Sequence, residues 1–116
     1  MKKILSTSES INPQQLGTQL REIHATGEAV YDERRKELRM TLDCRVRESR
    51  WGRKDRYRRL NWLPKKQSLR EPMPAEEALP AARSIFHTWT ERIRRQAADQ
   101  EEVETREKAN AQQHSG

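Results

Sequence analysis

The chain is short of most things that would assign it a class. Its one cysteine, Cys44, excludes an internal disulfide and agrees with a reducing compartment. Four glycines cannot build a phosphate loop, and neither GxGxxG nor GxxxxGK[ST] occurs. His24, His87 and His114 stand far apart, with no cysteine, histidine or carboxylate at a ligand-like spacing, so no metal site, cofactor or catalytic residue is expected. Apolar runs are missing too. After Met1-Lys2-Lys3 only Ile4 and Leu5 precede the polar run Ser6-Thr7-Ser8-Glu9-Ser10, which leaves no signal-peptide h-region. A cytoplasmic protein without membrane attachment is the expectation.

Only 32% of the 116 residues are hydrophobic and 5% aromatic, so one small domain with a thin core is the most the chain can build. Such a core leaves little stability after chain entropy is met, and a homodimer would relieve that.

Charge is what the sequence has, and it is unevenly placed. Residues 1–44 carry seven basic and seven acidic groups, and residues 71–116 carry six against nine. Between them, residues 45–70 hold eleven basic residues against Glu48 and Asp55, a net +9. Nine of the eleven cations (Arg45, Arg47, Arg50, Arg53, Lys54, Arg56, Arg58, Arg59 and Arg70) precede or follow the pair Lys65-Lys66, and most are arginine. Guanidinium groups grip phosphate oxygens bidentately and stack on bases, which suits DNA or RNA better than a lysine run would. Trp51, Tyr57 and Trp62 lie in the same segment and are flat surfaces on which an unpaired base could stack. With about six cations on duplex phosphates, the log–log salt slope of binding would be roughly −5. The expected function is therefore non-enzymatic: a nucleic-acid-binding accessory or regulatory protein that docks on phosphates. The alternative is a helical adaptor for an acidic protein surface. A third assignment of the rings is purely architectural, with Trp51, Leu60, Trp62 and Leu63 packed against Phe86, Trp89 and Ile93.

Patterning predicts an all-α fold, an elongated helical hairpin. Residues 1–11 read as a flexible leader or a short edge strand, and 12–98 as one small helical domain. Asn12-Pro13 resembles an N-cap with proline at the first helical position. Leu16, Leu20 and Ile23 recur at helical spacing, and Tyr31, Leu38 and Leu42 continue the stripe to about residue 50. A short basic helix to Leu63 would place Arg47, Arg50, Lys54 and Arg58 along one side. A proline-containing linker near 64–74 follows, then a helix from about 80 to 105 with Ala82, Phe86, Trp89 and Ile93 on one face, Pro80 in its first turn and Glu76-Glu77 favouring its N-terminus. The acidic stretch 99–116 reads as a frayed or disordered tail. One signal competes: Leu38, Met40, Leu42, Cys44 and Val46 alternate strictly with polar residues, so an α+β fold with a strand near 37–47 is the alternative.

Overall fold

The computed structural model describes residues 1–114. Five antiparallel strands are followed by one long helix: β1 (Lys2–Leu16), β2 (Gln19–Asp32), β3 (Glu37–Arg50), β4 (Arg56–Arg58), β5 (Gln67–Pro72) and α1 (Ala75–His114). The sheet runs β1-β2-β3-β4, and β5 pairs with the other end of β3. The all-α hairpin is thus overturned, and the α+β alternative holds. The expected helix over 13–50 is the end of β1 and the whole of β2 and β3, and the expected basic helix to Leu63 is a turn, the short β4 and a loop. The expected leader is β1, an edge strand of 15 residues.

Local chemistry explains each correction. Asn12 and Pro13 cap no helix; they form a bulge between the pairs Ile11↔Ile23 and Gln14↔Arg21, with Asn12 at φ 50°. An edge strand is where a proline without an N–H is tolerated. Gly17-Thr18 closes the β1–β2 hairpin as a two-residue loop, and Gly17 supplies the φ of 62° at its first position that such a turn requires. The β2–β3 turn is held by Asp32, whose carboxylate accepts from the backbone N–H groups of Arg34 and Arg35 at 3.1 and 3.2 Å.

The apparent helical stripe has a simple origin. Steps of four, as from Leu38 to Leu42, satisfy both a helix and a strand. The odd step from Leu20 to Ile23 is the one that fails, because in β2 those two side chains take opposite faces. Ile23, Ala25, Gly27, Ala29 and Tyr31 of β2 share a face with Leu38, Met40, Leu42, Cys44 and Val46 of β3, and α1 covers it.

That face carries the core. Ala78, Ala82, Phe86, Trp89, Ile93 and Ala97 are buried along one side of α1, as the spacing of the central four predicts. The helix begins earlier than expected, at Ala75, so Glu76 and Glu77 sit in its first turn and Pro80 lies beyond it. It also runs through most of the supposed tail, to His114; Ser115 and Gly116 lie outside the described residues. Polar ties fix α1 over β1: Arg94 meets Glu9 at 3.1 Å, and Glu101 accepts from the Gln14 amide at 3.2 Å. Tyr31 donates to the Met73 carbonyl at 2.8 Å, anchoring the chain just before the helix. Among the described residues, no helix is long and apolar enough to cross a membrane.

Cys44 sits on the covered face, 1% exposed, with its thiol directed at the Pro64 carbonyl 3.6 Å away. Burial, reinforced by the Asp43 carboxylate, pushes its pKa up to about 11. Almost no thiolate exists at neutral pH. Ellman's reagent is therefore expected to leave native protein unlabelled at pH 8 and to label it fully once urea unfolds it; rapid labelling of the native state would contradict this placement.

Candidate nucleic-acid interface

The cationic segment spreads over the sheet, and its register decides which groups stay available. Arg45 and Arg47 lie on the face of β3 away from the helix. Arg47 is not an open cation: it donates to Glu22 of β2, which is 5% exposed and also accepts from the Ser10 hydroxyl. Burial raises the Glu22 pKa, but the Ser10 and Arg47 donors outweigh it and hold the carboxyl below its ordinary range. Arg45 and Arg59 both reach Asp43, at 3.4 and 2.9 Å, and Arg58 meets Glu48 at 2.9 Å. The expected helical row Arg47, Arg50, Lys54, Arg58 therefore does not exist as a row.

The remaining cations are different. Among the described residues, no carboxylate lies within ion-pair distance of Arg53, Lys54, Arg56, Lys65, Lys66 or Arg70. Three of them gather where β3 turns into β4. A turn over Arg50-Trp51-Gly52-Arg53, closed by the Arg53 N–H on the Arg50 carbonyl at 3.2 Å, has Gly52 at φ 75°. That is the third-position value of a type II turn, which glycine meets without strain. It puts Trp51 at the apex, 97% exposed.

Beside this apex, Gln19, Glu48, Arg50, Arg53, Lys54, Asp55 and Arg56 enclose a cleft of about 260 Å³. Its charge is four cations against two carboxylates, and Glu48 is already engaged by Arg58. The Gln19 amide oxygen accepts from Arg50 at 3.2 Å and holds that guanidinium without neutralising it. Gln19 was invisible as a site residue in the sequence, because only the β2–β3 register brings it opposite Arg50.

The three candidate rings separate. Trp62 is half-buried against the core, where with Leu60 it lines a small cavity of about 100 Å³ beside Ile23, Val46 and Ala97. It packs, as does Leu63. Tyr57, half exposed on β4, meets His24 edge-on with ring centroids 6.5 Å apart. Trp51 and Tyr57 both lie outside the core, and Trp51 is the more exposed of the two, 97% against 50%. Lys65 and Lys66 are exposed in the loop before β5, away from the apex by sequence and by strand pairing.

No protein family matches the chain, and no curated protein or solved structure is significantly similar to it. Among the described residues, no group of three or more His, Cys, Asp or Glu side chains could hold a metal ion.

Proposed function

We propose that the chain binds nucleic acid through the β3–β4 turn, with Arg50, Arg53, Lys54 and Arg56 on phosphates and Trp51 against a base. The observation that carries this reading is an indole left 97% exposed at the apex of a cationic turn. A large ring gains nothing for folding in that position, and burying it against a partner recovers roughly 1.5–3 kcal/mol. Unneutralised guanidiniums beside it select a partner that is anionic as well as flat. A single strand offers both its phosphates and its base faces, whereas a duplex hides the faces.

The test is a titration of labelled single-stranded DNA, single-stranded RNA and duplex DNA at several salt concentrations. With four cations on a single strand, the log–log slope should be about −3. Joint replacement of Arg53, Lys54 and Arg56 by Ala should flatten it by about 2, since each lost phosphate contact removes roughly 0.7. Trp51→Ala should weaken single-strand binding about tenfold or more while leaving the unfolding midpoint unchanged. Absence of binding to all three at low salt would overturn the proposal and turn attention to an acidic protein partner for the same turn.

A further inference from the structure

We propose that β1 is a pairing edge through which two copies of this chain join antiparallel, about a two-fold axis at Ser8. The two margins of the sheet are unlike. On the β3 side the margin is split between the three residues of β4 and the six of β5, with a loop between them. On the other side β1 runs for 15 residues, with no strand beyond it among the described residues. A long strand with a free row of N–H and C=O groups is a template for another strand unless the sequence blunts it.

In β1 the blunting devices are all at the ends. Lys2 and Lys3 precede one bulge, between Lys3 and Leu5, and Pro13 lies in the other, between Ile11 and Gln14. The regular run between the bulges, Leu5–Ile11, contains no lysine, arginine, proline or glycine, and its midpoint is Ser8. Its composition is self-complementary about that midpoint. A two-fold axis there sets Leu5 opposite Ile11, Ser6 opposite Ser10 and Thr7 opposite Glu9. No like charges face each other, because the one charged residue meets a threonine and already carries Arg94 at 3.1 Å. Since the axis stands perpendicular to the sheet, both helices fall on one face of the joined sheet. Such an arrangement is closed, each chain using the same surface, so growth stops at two.

Light scattering on the unmodified chain should then return twice the 13.8 kDa chain mass. Ser8→Cys should form a disulfide-linked dimer on mild oxidation with oxidised glutathione. Residues paired across antiparallel strands have Cα atoms about 4.5–5.5 Å apart, within disulfide reach. Ser6→Cys and Ser10→Cys should each resist linking alone, because two copies of either lie roughly 13 Å apart along the strands. Mixed together, they should link. The unmodified chain is its own control, since its only thiol is buried. Ser8→Lys would place two ammonium groups on the axis and should shift the mass to that of one chain; because Ser8 is exposed in the single chain, the variant should still unfold cooperatively, at a midpoint that no longer rises with protein concentration as the unmodified dimer's does. A single-chain mass for the unmodified protein at tens of micromolar would overturn the inference, and so would a dimer whose Ser8→Cys variant fails to link.

Discussion

Gly27→Val is expected to destabilise the protein by about 3 kcal/mol, the upper end of what overpacking a core costs, measured as a lowered urea midpoint at unchanged m-value. Strand propensity alone argues the opposite, since valine favours a strand over glycine by up to about 1 kcal/mol. Geometry decides the sign. A Cβ built on Gly27 would stand 2.6 Å from Phe86 Cδ2 and 3.1 Å from Cε2, with the Met40 methyl at 3.4 Å. The helix meets β2 through a notch of small residues, Ala25, Gly27 and Ala29, and the Phe86 ring fills it. In a Phe86→Ala background the same substitution should therefore become neutral or mildly stabilising, because the clash is gone and the propensity gain remains. Additive single and double variants would refute this packing.

Glu22→Gln is expected to cost about 3 kcal/mol at neutral pH, the lower end for breaking a buried ion pair, because the Arg47 side chain keeps 29% exposure. The loss comes from stranding the guanidinium: its buried Nε has no hydrogen-bond partner among the described residues, so the Glu22 carboxylate is its main compensation. The sign of the pH dependence follows from the carboxyl lying below its ordinary value of 4.5 in the folded state. Its contribution is complete above that value and drains away as pH falls through the lower folded one. The unmodified protein should thus lose stability in acid more steeply than the Gln variant, and the two curves should converge. Parallel curves would remove Glu22 from the account of acid unfolding. Replacing the pair together, Glu22→Leu with Arg47→Met, should restore most of the loss, since apolar replacement of a buried pair is often neutral.

The same notch explains why half the fold was illegible. In β3 the alternation Leu38, Met40, Leu42, Cys44, Val46 is written in large side chains and reads plainly as a strand. In β2 the matching alternation is written in Ala25, Gly27 and Ala29, which no hydrophobic pattern registers, so nothing in the sequence marks a partner strand for β3. Phe86 supplies the missing volume from 59 residues along the chain. The helix face itself was legible because Ala82, Phe86, Trp89 and Ile93 pack against a sheet as they would against another helix. At the site, the excess of cations was plain in the composition, but its sorting was not. Arg47 is engaged because the β2–β3 register sets Glu22 opposite it, Arg58 reaches Glu48 diagonally across the β3–β4 pair and Arg59 reaches Asp43, whereas no ion pair among the described residues ties Arg53, Lys54 or Arg56.

The Trp51 apex hangs from the body of the protein by two strand ends and one backbone hydrogen bond, and none of its side chains enters the core. Under the proposed function, recognition and architecture are thereby uncoupled. The turn can be shortened, recharged or given a different ring while the scaffold below holds its shape, so ligand preference is free to drift over generations at little risk to folding, and the same six or seven positions are the natural place to graft a new specificity.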